Sequence, residues 1–220
     1  MPADPANLIQ QGPDTPVALV GPDDRDLLIY GGTFDPPHRA HLELPRRVCE
    51  QLNADAVVYI PAGRSPHKLD HEQSPAHHRV AMLRRALAGQ RWARLWLGEI
   101  EQDNDGPSYT VDTLERLHDQ LGDAVRLRLL IGADQIDKFD TWVRHERVVE
   151  LAEPVVMIRP PHDRAAIPDN WQSRLVEVPA MDISSTNIRE RIRNQQPIDQ
   201  LIPEAVADYI EATNLYQAIF

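Results

Sequence analysis

The chain has 220 residues, 42% hydrophobic and 26% charged, which suffices to bury one sizeable core and lies near the upper edge of a single domain. Its formal net charge of -11 argues against a nucleic-acid binder, because strand and duplex affinity rest on a basic surface that neutralises phosphates. The lone Cys49 excludes an intrachain disulfide framework and a thiolate metal site, the N-terminus lacks a basic-then-apolar leader pattern, and no apolar run approaches the roughly 18 residues that span a bilayer, so a cytoplasmic protein with no membrane partner is expected.

Residues 1 to 26 carry Pro2, Pro5, Pro13, Pro16 and Pro22 without helical or strand periodicity, and read as an N-terminal tail ahead of one domain over residues 27 to 220. From Leu27 onward, strand-like and helix-like segments alternate. The strand candidates are continuous apolar runs of the kind buried on both faces of a parallel sheet: Leu27–Tyr30, Ala56–Ile60, Leu95–Ile100, Val125–Ile131, Val155–Ile158 and Leu175–Val178. Ser74 as N-cap and Pro75 at the first helical position open a helix whose stripe runs through Val80, Leu83 and Leu87 to Gly89. A second stripe, Val111, Leu114, Leu117 and Leu121, ends at Gly122, and Pro203 opens a last helix through Val206, Tyr209 and Ile210 that is expected to pack back on the sheet. The pattern is α/β, doubly wound, with a mainly parallel sheet. One local conflict stands in it: a helix beginning near His38 must kink at Pro45 or start later, because proline removes the bond to the His41 carbonyl.

Three segments follow strand candidates, and open parallel sheets bind ligands beyond the carboxyl ends of their strands, so these segments are expected to converge. The first is Gly31-Gly32-Thr33-Phe34-Asp35-Pro36-Pro37-His38-Arg39-Ala40-His41, in which glycines allow close backbone approach and His38 and His41 share one face of a helix start, each able to donate to phosphate oxygens. The second is Pro61-Ala62-Gly63-Arg64-Ser65-Pro66-His67-Lys68, which presents Lys68 as a point charge. The third, Ile183-Ser184-Ser185-Thr186-Asn187-Ile188-Arg189, caps a helix with Ser184 and sets Arg189 one turn in, a cradle for polyphosphate. A metal role for the histidine pair is the weaker reading, since no third ligand type clusters nearby. His71, His77 and His78 read as solvated, and Cys49 as a small buried filler.

The first and third segments resemble the HxGH and ISSTxIR signatures of the nucleotidylyltransferases, which implies their Rossmann-like fold. Ser65-Pro66-His67-Lys68, Ser108-Tyr109-Thr110-Val111-Asp112-Thr113-Leu114, and Gly132-Ala133-Asp134 followed by Phe139-Asp140-Thr141-Trp142 resemble more specifically the bacterial nicotinate mononucleotide adenylyltransferases. The resemblance implies AMP transfer from ATP to nicotinate mononucleotide, giving deamido-NAD and pyrophosphate. It implies catalytic roles for His38, His41, Lys68 and Arg189, with Gly31, Gly32, Thr33, Phe34, Ser184 and Thr186 joining His38, His41 and Arg189 around ATP. Asp35, Lys68, Tyr109, Thr110, Asp134 and Trp142 would take the mononucleotide, and Lys138 would lie near the nucleotides. A nicotinate carboxylate needs donors only, which backbone N–H groups at Tyr109 and Thr110 can supply while Trp142 stacks on the ring. Mg2+ would travel with the triphosphate and needs no protein ligand. Two departures mark the chain: Pro37 stands at an ordinarily aliphatic position, and Ala40 replaces the glycine between the histidines, where its methyl would crowd ATP. The rival readings are transfer to nicotinamide mononucleotide or another phosphomonoester, a non-catalytic nucleotide sensor, and an aminoacyl-tRNA synthetase fragment, the last disfavoured by the acidic charge and the missing lysine-rich loop. The sequence leaves open whether copies assemble into a homo-oligomer.

Overall fold

The structure is a computed structural model and describes residues 23–63, 73–101, 106–160 and 162–217. Its apolar runs form six strands, β1 (Asp26–Gly32), β2 (Ala56–Pro61), β3 (Ala93–Leu95), β4 (Arg126–Gly132), β5 (Glu153–Ile158) and β6 (Leu175–Glu177). All neighbours are parallel, in the order β3-β2-β1-β4-β5-β6. The helices are α1 (Arg39–Leu52), α2 (Ala76–Leu87), α3 (Thr110–Leu121), α4 (Ile136–Phe139), α5 (His145–Leu151), α6 (Ser185–Arg193) and α7 (Glu204–Thr213).

Strand period two explains why both faces are apolar. Leu27, Ile29, Val58 and Leu129 point to one side, where they meet Val111, Leu114 and Leu117 of α3, Phe139 of α4 and Val148 of α5. Leu28, Val57, Tyr59 and Leu130 point to the other, against Leu44 and Val48 of α1 and Leu83 and Leu87 of α2. Burying both faces is what a parallel sheet requires, and it accounts for the near-continuous apolar strands. The winding order reverses between β1 and β4, which opens a crevice at the carboxyl ends of these two strands.

Several elements depart from what the sequence suggests. The third apolar run is strand only as far as Leu95; beyond it the Ile100 and Glu101 N–H groups turn back to the Leu97 carbonyl, at 2.8 and 3.0 Å. Trp96 enters the core there, its Nε1 donating to Gln120 at 3.0 Å. The cap of α2 is Pro75, one residue later than expected, and the Ser74 N–H donates to the Asp35 carboxylate at 3.0 Å. The last helix does not return to the sheet: Val206 and Ile210 of α7 pack on Met82 and Ala86 of α2 and Ile188 of α6. Order begins before residue 27, since Asp24 is buried against Arg94 at 2.9 Å and the Arg25 and Asp26 N–H groups bind Asp55 at 2.7 and 2.8 Å. The rest of the expected tail, residues 1 to 22, lies outside the described residues.

Pro45 does not delay α1. The helix starts at Arg39 and runs through Pro45, and the Tyr59 hydroxyl of β2 donates to the His41 carbonyl at 2.9 Å, replacing the N–H that proline lacks.

Candidate active site

A cleft of about 920 Å³ lies over the β1/β4 crevice. One wall is the end of β1 with Gly31, Gly32 and Thr33, and the opposite wall carries Tyr109, Thr110, Asp134 and Trp142. The two glycines do different things. A Cβ on Gly32 would meet the Phe34 ring at 2.8 Å, so the missing side chain lets that buried ring fold under the turn, whereas a Cβ on Gly31 would meet nothing within 4 Å and would project into open space.

His38 and His41 cap α1 for each other. The His41 N–H donates to the His38 Nδ1 at 3.4 Å and the His38 N–H donates to the His41 Nδ1 at 3.3 Å, with the imidazoles stacked 3.6 Å apart and 16° from parallel. Since both Nδ1 atoms accept, each neutral ring carries its proton on Nε2 and presents that N–H as a donor. Burial, reinforced by the Arg159 charge, pushes the His38 pKa down to about 4, so His38 is uncharged near neutral pH. His41 lines the cleft, while His38 is 5% exposed and sits behind it.

The start of α6 is docked on the same turn from outside the cleft. The Ser185 hydroxyl donates to the Pro36 carbonyl at 2.9 Å, and Arg189 donates through Nη1 to the Asp35 carbonyl at 2.7 Å and through Nη2 to Thr186 Oγ1 at 3.3 Å. Ser184 caps α6, accepting from the Asn187 N–H at 3.2 Å. Ser184 and Thr186 are exposed and Arg189 half-buried, beside the cleft wall but not in its lining. Asp35 has a different place from the one the resemblance implies: it is 5% exposed, and its carboxylate accepts from the Ser74 N–H and from the Tyr216 hydroxyl at 2.5 Å, which makes it a brace for the turn. Ala40 is likewise turned away from the cleft. Its methyl is 4% exposed, packed with Leu44 and Val48, so it does not crowd a ligand there. Lys68, with Ser65, Pro66 and His67, lies outside the described residues.

On the opposite wall Tyr109 is the extended N-cap residue of α3, and its own side chain makes no capping hydrogen bond among the described residues. Trp142 packs at 5.2 Å from the Phe139 ring, and its buried Nε1 has no hydrogen-bond partner among the described residues.

Residues 29 to 191 match the family model described as cytidylyltransferase-like. A protein of Bacillus subtilis named nicotinate-nucleotide adenylyltransferase is 34% identical over 190 residues, covering 86% of this chain and 97% of its own. A Chromobacterium violaceum protein named "Probable nicotinate-nucleotide adenylyltransferase" is 37% identical over 208 residues, with the same two shares. The chain belongs to the nicotinate-nucleotide adenylyltransferase family. The Plasmodium falciparum nicotinic acid mononucleotide adenylyltransferase complexed with NaAD superposes with a TM-score of 0.70 at 20% identity, covering 87% of this chain and 97% of that one, which shows the shared fold.

For an adenylyltransferase, two cleft residues that sequence reasoning passed over matter. Arg159 lines the cleft immediately after β5, and the rule applied to the other strand ends would have found it. Glu99 lies in the run misread as strand; it accepts from the Gly63 N–H at 3.2 Å, from the Thr113 hydroxyl at 2.7 Å and from Ser108, while burial raises its pKa. His78 is half-buried, its Nδ1 2.9 Å from the Tyr209 hydroxyl. Cys49 is a buried filler, its thiol pushed up to about 11 by burial. Among the described residues no helix is long and apolar enough to cross a membrane.

Adenylyltransferases that use ATP generally need a divalent cation. Asp134 is a carboxylate in the lining of the cleft.

Proposed function

We propose that the chain transfers AMP from ATP to nicotinate mononucleotide in the cytoplasm, releasing pyrophosphate and forming deamido-NAD. The observation that carries this reading is a single cleft with the histidine-capped glycine turn on one wall and, facing it, a helix start beside an indole. The attacking mononucleotide phosphate is already an anion, so no side chain removes a proton. The protein's task is to align two anions and neutralise the charge that grows on the α-phosphoryl oxygens and the departing pyrophosphate.

In this reading His41 donates its Nε2–H to the α-phosphate, and His38, neutral behind it, holds the ring and adds a second donor. Arg159 and Lys138 supply positive charge in the cleft. Ser184, Thr186 and Arg189 take the β- and γ-phosphates at the edge of the turn, and Lys68 bridges the two substrates. Mg2+ enters as part of the ATP substrate, keeping most of its waters. The pyridine carboxylate meets backbone donors at Tyr109 and Thr110, which offer no acceptor to an amide, and Trp142 stacks on the ring.

Pyrophosphate release, followed with ATP and each mononucleotide in turn, tests the assignment. The acid should exceed the amide in kcat/KM by roughly tenfold or more, the cost of facing donors with an unmatched N–H2 group. Preference for nicotinamide mononucleotide would overturn the roles given to Tyr109, Thr110 and Trp142, and ATP binding without turnover would favour a nucleotide sensor.

A further inference from the structure

Arg79 is 3% exposed and spends its guanidinium on backbone from three segments: Nη1 donates to the carbonyls of Thr33 at 3.1 Å and Ala62 at 2.8 Å, and Nε donates to that of Ser74 at 3.0 Å. No carboxylate hydrogen-bonds it among the described residues, so this buried charge is held by carbonyl dipoles, an arrangement that costs desolvation and fixes geometry in return. From Ala62 the chain of contacts continues. The Ala62 N–H donates to the Gly32 carbonyl at 2.8 Å, and the next residue, Gly63, donates to Glu99, which also binds Thr113 and Ser108. Nothing slack is left at that joint: a Cβ on Gly63 would lie 2.5 Å from the Glu99 carbonyl and 2.6 Å from Ser108 Oγ.

The two ends of this chain are the two halves of the cleft. Thr33 belongs to the glycine turn, and Ser108 directly precedes Tyr109 and Thr110. We propose that Arg79 and Glu99 are positioning residues which, through Ala62 and Gly63, set the separation between the ATP turn and the acceptor turn and hence the in-line approach of phosphate to phosphorus. The inference rests on the adenylyl-transfer reading. Glu99 lines the cleft, yet its carboxylate is engaged by protein donors, so it acts through the turns and not on the reacting atoms. Misplacing reactants by about an ångström costs on the order of a hundredfold in rate, whereas each substrate alone still finds its own half intact.

Glu99→Gln keeps the side chain's size but turns an amide N–H2 toward one of its donors. The expected result is a kcat lowered roughly thirtyfold or more, with the calorimetric Kd of ATP alone and of nicotinate mononucleotide alone each within about threefold of wild type. Thr113→Val, which removes a single hydroxyl from a 5% exposed side chain, should show the same split at smaller size and carries the test if Glu99→Gln does not fold. Arg79→Lys, a point charge unable to span three carbonyls, should behave like Glu99→Gln. An unchanged kcat per folded molecule would overturn the proposal, as would a loss lying wholly in the binding of one substrate. Absence of pyrophosphate release from the wild-type chain would overturn the adenylyl-transfer reading instead, before any substitution is made.

Discussion

Tyr59→Phe removes a hydroxyl from a side chain that is 0% exposed and that donates at 2.9 Å to the His41 carbonyl, the acceptor deprived of its helical donor by Pro45. The ring keeps its packing in the core, so the loss is that of the hydrogen bond. Withdrawing one partner from a buried acceptor costs about 1 to 3 kcal/mol. For a chain of this length each kcal/mol moves Tm by roughly 2 to 4 °C, so a fall of about 4 to 8 °C is expected for a mid-range cost. The cause can be isolated with Pro45→Ala, which returns a backbone N–H to the same carbonyl. In that background the hydroxyl becomes redundant, and Tyr59→Phe should cost less by about 1 kcal/mol or more, read as the coupling in a four-chain cycle of urea unfolding. Because the carbonyl and the cleft-facing imidazole belong to one residue, kcat should fall in Tyr59→Phe and recover in the double variant. Equal costs of Tyr59→Phe in both backgrounds would refute the reasoning.

His41→Ala should lower kcat by roughly a hundredfold with a smaller change in ATP Kd, as for a donor that acts chiefly in the transition state; equal losses in both would remove that role. The His38 pKa is depressed from the usual 6.5 to about 4, so between these values the unfolded chain binds more protons than the folded one. Stability from this group is therefore complete above pH 6.5 and is lost as pH falls toward 4, by roughly 3 kcal/mol in all. His38→Asn keeps a capping acceptor without titrating, and unfolding measured from pH 7 to 4 should show a correspondingly shallower acid loss. Gly31→Ala should leave Tm nearly unchanged and weaken ATP binding, whereas Gly32→Ala, forced onto the Phe34 ring, should destabilise by about 1 to 3 kcal/mol; the reverse ranking in calorimetry and thermal melts would show the turn misread.

What could be read from the sequence was what chain-local physics decides. Apolar runs such as Ala56–Ile60 and the stripe Val111, Leu114, Leu117 announce themselves by period, and the glycine turn, the Tyr109–Thr110 helix start and the Ser184 cap follow from neighbouring residues. Long-range partners were hidden. Nothing near Pro45 says that a tyrosine on β2 will answer for its missing N–H, and nothing near Asp35 says that Ser74 and Tyr216 will claim its carboxylate. Leu95–Ile100 reads as strand because its residues are apolar, but the Gly98 carbonyl is bound by Arg116 of α3 at 2.7 Å and Trp96 leaves for the core, so side-chain packing overrode strand propensity. That error concealed Glu99. The direction of α7 was equally illegible, since an amphipathic stripe states that a face is buried and not against what.

The Tyr216 contact with Asp35 carries a practical consequence for anyone trimming the polypeptide. Asp35 and Pro36 are held by groups from the C-terminal third, namely Ser185, Arg189 and Tyr216, none of which lines the cleft. A chain shortened to end at Asn214 would keep α7 whole yet leave the Asp35 carboxylate with the Ser74 N–H as its remaining donor, so a trimmed polypeptide that preserves the brace of the glycine turn extends at least through Tyr216.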